Sequence, residues 1–240
     1  LQLAINYFDA VVSDDISRID NVKRDAEKTK RILRSYARSI ASQAKISSIT
    51  QDVYANEGTE DLTNKNVTIS SYISALKKIF VIEDSLAWNP NLRSKTAIRA
   101  SDTRYFTDPS IGTAALGLGA KDLINDLQTM GLMFENLCIR DLRIYADALD
   151  GQVYHYRDRN DLECDAVVHL RNGSYGLIEI KRGGDKLIEE GATTLNKLEA
   201  NIDTTKMKAP SFKMVLTGIG NYAYRRKDGV LIVPIGSLKD

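Results

Sequence analysis

The sequence predicts an α/β chain in two parts, a helical first half and a second half built on a mixed β-sheet. Three observations predict it. Apolar residues recur at helical spacing between residues 28 and 80, strand-like segments recur through the chain after residue 150, and two of those segments carry Asp165 and the triplet Glu179-Ile180-Lys181. Side chains alternate faces along a strand, so Glu179 and Lys181 project from one side while Ile178 and Ile180 pack on the other. Two carboxylates and an ammonium converging on a sheet surface make a natural site for a divalent metal and an activated water.

Taken in order, residues 28–45 place Leu33, Tyr36, Ala37, Ile40, Ala41 and Ala44 on one helical stripe, with Arg31, Arg34, Arg38 and Lys45 on the opposite side. A short helix is expected over 49–56, ending near Gly58. Thr68 reads as the N-cap of a helix to Phe80. Ile69, Tyr72, Ile73, Leu76, Ile79 and Phe80 form its buried face, and Ser70, Ser71, Ser74, Lys77 and Lys78 its polar face. Followed by strand-like 81–83 and 104–108, these helices predict a winged helix-turn-helix with the Ser/Lys face as its recognition surface; a merely solvated face is the alternative. Asp108-Pro109 and the small residues from Gly112 to Gly119 mark a boundary, giving parts 1–110 and 111–240. A helix over 122–145 then leads into strands at 153–157, around Asp165 and around Glu179. A helix over 186–202 follows, with Leu195, Leu198 and Ile202 on its stripe and Gly191 as a weak spot. Strands 212–217 and 230–234 close the order.

Composition sets the outer bounds. With 240 residues and 43% apolar content the chain can build real cores, and 33 Lys+Arg against 32 Asp+Glu leaves any nucleic-acid affinity to local patches. Cys138 and Cys164 sit in apolar patterns without zinc-ligand spacing, which fits buried thiols in a reducing cytoplasm. Neither a membrane-length apolar run nor a signal-peptide pattern is present, and no Gly-x-x-x-x-Gly-Lys-Ser/Thr loop offers an ATP site. The opening Leu1 is read as the mark of a segment taken from a longer polypeptide.

The element order and the acid followed by Glu-x-Lys resemble the PD-(D/E)XK nuclease superfamily. More narrowly, the chain resembles the C-terminal region of a large family of bacterial and archaeal AAA-type ATPases. That resemblance rests on Tyr36-Ala37-Arg38, Thr68-Ile69-Ser70-Ser71-Tyr72 with Leu76, Tyr105-Phe106-Thr107-Asp108, Gly131-Leu132-Met133-Phe134-Glu135-Asn136, Tyr156-Arg157-Asp158, Glu163-Cys164-Asp165 and Ile178-Glu179-Ile180-Lys181. It implies a restriction-endonuclease-like (αβββαβ) second domain and Mg²⁺-dependent DNA cleavage, with Mn²⁺ as a substitute. Asp165 and Glu179 would hold the metal with the Ile180 carbonyl, Lys181 would orient or deprotonate the water, and Glu135 would be an additional helix-borne ligand. It also implies DNA and an upstream AAA-type ATPase domain as partners. Cys164 stands where the superfamily's name-giving proline would be.

The residues leave other readings open. A non-catalytic DNA- or protein-binding module under control of the ATPase is the rival function. Asp165, Glu179 and Lys181 can be an ion-pair ladder on a sheet face, and Glu135 an N–H-bonded or Arg-paired structural glutamate. Arg157, Lys77, Lys78, Arg34 and Arg38 are the candidate nucleic-acid contacts, although such residues also serve as solvated charges. His155 and His169 have no ligand companions in sequence and read as structural. The hairpin sets a geometric condition. A two-residue Asn172-Gly173 loop would put Asp165 opposite Ile180, so a joint site requires a three-residue loop or a bulge near 171–174.

Overall fold

The computed structural model describes residues 2–56, 61–89 and 101–239. They fall into two compact units, the first made of Leu1–Asp84 and Thr103–Asn136, the second of Ser85–Asp102 and Leu137–Asp240. The division differs from a single cut after residue 110, because residues 103–136 belong with the first unit and the 85–102 segment with the second.

The first unit is helical. Helix α1 (Gln2–Ala10) passes through a π turn at Val11–Asp15 into α2 (Ile16–Arg18), burying Phe8, Val11, Val12 and Ile16 at helical spacing. Helix α3 (Ala26–Arg38) is capped by Asp25, whose carboxylate accepts from the Lys28 N–H at 2.6 Å. It ends at Ser39, so Ala41 and Ala44, expected on its stripe, lie beyond it, with Ala41 turned to φ 56°. Helix α4 spans Ile46–Val53, and the expected stop at Gly58 lies outside the described residues.

Helix α5 (Leu62–Lys78) corrects the expected N-cap: Thr68 sits inside the helix, and its hydroxyl donates to the Asn64 carbonyl at 3.0 Å. A threonine satisfied by a carbonyl four residues back has no need of a helix end. The C-terminus is closed by paired bonds, from Phe80 N–H to the Lys77 carbonyl at 3.1 Å and from Val81 N–H to the Leu76 carbonyl at 3.0 Å. That closure turns Phe80 outward at φ 55° and leaves it 75% exposed, so it is not part of the buried face. The two expected wing strands reduce to one antiparallel bridge, Ile82 with Phe106. On the other side of Phe106 the fully buried Asn136 acts in place of a neighbouring strand, its amide accepting from Phe106 N–H at 2.9 Å and donating to the Phe106 carbonyl at 2.8 Å.

Helix α6 (Pro109–Leu116) begins behind the Asp108 cap and ends at Gly117. The single helix expected over 122–145 is two, α7 (Ala120–Asn125) and α8 (Leu127–Ala148). Asp126 interrupts them because its carboxylate caps the second, accepting from the N–H groups of Gln128 and Thr129 at 3.1 Å each.

The second unit is built on a mixed six-stranded sheet in the order β1-β2-β3-β4-β6-β5, with β1 Gly151–Arg157, β2 Glu163–Leu170, β3 Tyr175–Lys181, β4 Phe212–Thr217, β5 Tyr224–Arg225 and β6 Leu231–Pro234. Strands β1, β2 and β3 pair antiparallel, whereas β3, β4 and β6 pair parallel. Helix α9 (Asp185–Ala200) makes the crossover from β3 to β4 and packs on one face, where Ala192, Leu195 and Leu198 meet Val167, Leu177, Val215 and Ile232. The 85–102 segment joins this core through Trp88, whose N–H donates to the His155 carbonyl at 2.6 Å.

Candidate functional site

The hairpin between β2 and β3 meets the condition for a joint site. Leu170 N–H donates to the Ser174 carbonyl at 2.9 Å, leaving Arg171, Asn172 and Gly173 as a three-residue loop with Gly173 at φ 82°. Ala166 therefore faces Ile178 and Val167 faces Leu177. Continued one step, the register sets Asp165 opposite Glu179 on the α9 face.

That step is where the backbone ladder stops, since the paired register ends at Ala166 and Ile178. Beyond it the Asp165 carboxylate accepts the Ile180 N–H at 2.7 Å, doing with a side chain what a strand carbonyl would otherwise do. Lys181 Nζ lies 2.6 Å from Glu179 Oε2 and 3.3 Å from Asp165 Oδ2. The side chains of Glu179, Asp165 and Lys181 are 5%, 17% and 23% exposed, so the trio is recessed and the glutamate is the deepest.

Electrostatics follow from two negative groups sharing one positive one. Burial, and then the Asp165 charge, push the Glu179 carboxyl well above the usual carboxylate range, although Lys181 pulls the other way. Burial alone would lower the Lys181 ammonium, but the charges of Asp165 and Glu179 outweigh it and hold it above the ordinary lysine value. Lys181 is thus a fixed cation balanced by Asp165, and the trio acquires an excess negative charge only when the raised Glu179 carboxyl gives up its proton.

Gly191 of α9 sits over the strand. A Cβ there would lie 3.3 Å from Glu179 Cβ, 3.5 Å from Lys181 Cγ and 3.2 Å from Val215 Cγ2. The glycine that reads as a weak spot in the sequence is thus a close approach of helix to sheet. A cleft of about 730 Å³ opens over the trio, lined also by Glu163, Thr194, Lys197 and Asn201. Cys164 lies beneath with its thiol directed at the Ala166 and Ile178 carbonyls, both at 3.3 Å, and burial pushes its pKa up. It is an inert packing thiol.

The remaining candidates are spread over both units. Glu135 belongs to the first unit and is half-buried, with Oε1 accepting from the Tyr105 hydroxyl at 2.6 Å. Among the described residues no three His, Cys, Asp or Glu side chains form a group able to hold a metal. Arg157 is engaged locally, at 2.7 Å from Asp161 and 2.5 Å from Glu163. Of the first-unit cations, Arg34 and Lys78 are exposed, Arg38 pairs with Asp52 at 3.1 Å, and Lys77 reaches the buried Asp84 at 2.7 Å. Asp84 also receives Arg104 at 2.5 Å and the Tyr36 hydroxyl, a buried cluster that sequence periodicity does not disclose. His155 is structural as expected: it is buried, with Nδ1 3.0 Å from the Ser85 carbonyl.

Residues 2–122 match the family model described as a domain of unknown function, DUF8612, and residues 130–238 match a second, the domain of unknown function DUF4143. No curated protein and no solved structure matches the chain. No helix among the described residues is long and apolar enough to cross a membrane.

Proposed function

The chain belongs to the family described as domain of unknown function DUF8612, and from the acid pair of its second unit we propose that it is a divalent-metal-dependent phosphodiester hydrolase acting on DNA. One observation carries the reading: Asp165 and Glu179 meet at the end of the β2–β3 ladder around a single ammonium, so that two carboxyl groups converge in a recessed cleft.

The residues fit Mg²⁺. It takes hard oxygen ligands, keeps several waters and is commonly bound through one or two carboxylates, so Asp165 and Glu179, with the Ile180 carbonyl, suffice as protein donors without Glu135. Bound there, the ion would supply Lewis-acid polarisation of a phosphate and a water of lowered pKa. Lys181 orients the attacking water and offsets the negative charge that grows on the phosphate oxygens. Asp165 fixes the edge of β3 through the Ile180 N–H, holding the Glu179 and Lys181 backbones in place. In the first unit, the exposed face of α5 with Ser70, Ser71, Ser74 and Lys78, together with Arg34, would serve as a winged-helix-like DNA contact. The DUF4143 match supports an association with AAA ATPases, with which that domain is often found.

The test is cleavage of plasmid and linear DNA in Mg²⁺ or Mn²⁺. Activity lost in EDTA and in Asp165→Ala and Lys181→Ala supports the assignment; cleavage surviving those substitutions overturns it. A second reading, a binding module without catalysis, draws on Lys181 being close enough to neutralise part of both acids. It predicts DNA or partner binding with no cleavage under any metal.

A further inference from the structure

The face that carries the acid pair continues away from it into a second and larger cleft. Asp165 and His169 are four residues apart on β2 and share a side, a separation of about 13 Å at strand rise. Tyr154 stands with them, because β1 pairs it with Val167. Tyr154 and His169 line a cleft of about 1080 Å³ together with Lys206, Lys208 and Asn201. Asn201, at the C-terminal end of α9, also lines the cleft over Glu179 and Lys181, so the two clefts share a wall there.

The two rings are built as a platform. Their centroids are 6.4 Å apart at 56°. His169 is propped edge-to-face by Tyr175 at 6.1 Å and by Trp88 at 6.4 Å, which fixes its plane while it stays half-exposed. Among the described residues its ring nitrogens have no hydrogen-bond partner, and burial lowers its pKa, so at neutral pH it is an uncharged planar surface. Of the nearby lysines, Lys206 pairs with Asp203 at 2.7 Å, while Lys197 and Lys208 are exposed.

We propose that the joined clefts are a track for an unpaired nucleotide strand, with bases stacked on Tyr154 and His169 and a backbone phosphate delivered to Asp165 and Glu179. Stacking on a side chain requires a free base face, which a duplex keeps within its own stack, and it tolerates any sequence because every base has such a face. The phosphodiester reading of the acid pair underlies only the delivery step; strand binding is independent of cleavage. The clefts are also lined by Asp147, Asp150, Asp158, Asp161, Glu163 and Asp203, which offset Lys197 and Lys208, so strand binding rests on stacking and should depend only weakly on salt.

The experiment is fluorescence anisotropy of the 240-residue chain in EDTA, with labelled dT12, rU12 and a 12-base-pair duplex. The expected result is tighter binding of a single strand than of the duplex. Tyr154→Ala and His169→Ala should each weaken it about tenfold, and His169→Phe should restore it. The stronger of the dT12 and rU12 arms identifies the sugar, and a preference for either over the duplex supports the track. Duplex bound as tightly as both single strands, alanine variants binding like wild type, or failure of His169→Phe to restore binding would each overturn it. Absence of cleavage in Mg²⁺ or Mn²⁺ with strand binding intact defeats only the hydrolase reading.

Discussion

Charge counting at Asp165, Glu179 and Lys181 predicts opposite outcomes for two neighbouring substitutions in the metal-free chain. In Lys181→Met the ammonium 2.6 Å from Glu179 and 3.3 Å from Asp165 is removed. At an effective dielectric near 20 these contacts represent about 6 and about 5 kcal/mol of gross attraction. Most is offset by the several kcal/mol that desolvating the ammonium costs and by the proton that the raised Glu179 carboxyl already carries, so a net loss of about 3 kcal/mol is expected. Glu179→Gln replaces the deepest, proton-holding acid by a neutral amide and leaves Asp165 and Lys181 as a balanced pair, so it should be neutral or stabilising. Urea denaturation near pH 7.5 in EDTA measures both. With MgCl2 at a hundred times its dissociation constant, the wild type should gain about 2.7 kcal/mol and Glu179→Gln far less. If Glu179→Gln costs as much as Lys181→Met, or if Lys181→Met costs well under 1 kcal/mol, the trio is an ordinary ion-pair ladder and the charge argument is wrong.

Three further outcomes follow from particular contacts. The raised Glu179 carboxyl means that the folded chain keeps a proton that the unfolded chain has released. Metal-free stability should therefore fall as pH climbs from the ordinary value of 4.5 through neutrality, and Glu179→Gln should flatten that slope in urea titrations at several pH values. Because the ion must displace that proton, Mg²⁺ affinity measured by calorimetry should rise with pH over the same range. Gly191→Val places methyl groups against Val215 and Glu179, where a Cβ alone already comes within 3.2–3.3 Å, so a loss of about 1–3 kcal/mol and weaker Mg²⁺ binding are expected from thermal melts with and without the ion. Asn136→Ala strips Phe106 of both backbone partners in a fully buried position and should cost about 3 kcal/mol in urea denaturation, without altering Mg²⁺ binding to the second unit.

The parts of the site that were legible from sequence are those set by short-range rules. Strand alternation has a period of two, so putting Asp165 and Glu179 on one face required a definite loop length, and the three-residue turn through Gly173 supplies it. The crossover helix, expected over 186–202 from Leu195, Leu198 and Ile202, is found at Asp185–Ala200, with Ile202 just beyond its end. Non-local partnerships were not legible. Thr68 resembles an N-cap until the helix is seen to start six residues earlier, and Phe80 fits the apolar stripe until the chain reversal turns it out. Asn136 and Asp84 are polar residues buried by partners about 30 and 48 positions away, Phe106 and Tyr36. Residues 85–102 joining the second unit through Trp88 is a tertiary choice that no local pattern encodes. Glu135, read as a helix-borne metal ligand or as an N–H-bonded or Arg-paired acid, has as one partner the Tyr105 hydroxyl, 30 positions away, which the helix pattern does not disclose.

Local rules that conflict with stability at one spot are a stronger pointer to function than any single residue there. A ladder kept only to hold strands together would pair charges one to one on a solvated face, where each pair contributes little and costs little. Around Glu179 the chain does the reverse. It buries a carboxylate to 5% exposure beside another and shares one lysine between them. It ends the backbone ladder at that point, so that Asp165 must take the Ile180 N–H. It also places glycine rather than alanine in the helix overhead, at a propensity cost of about 1 kcal/mol. Burying the acid pair weakens the metal-free fold, and both acids line the same cleft. A divalent cation reverses the electrostatic part of that deficit, which is why the stability of this chain should respond to Mg²⁺ and to pH through the same carboxylate.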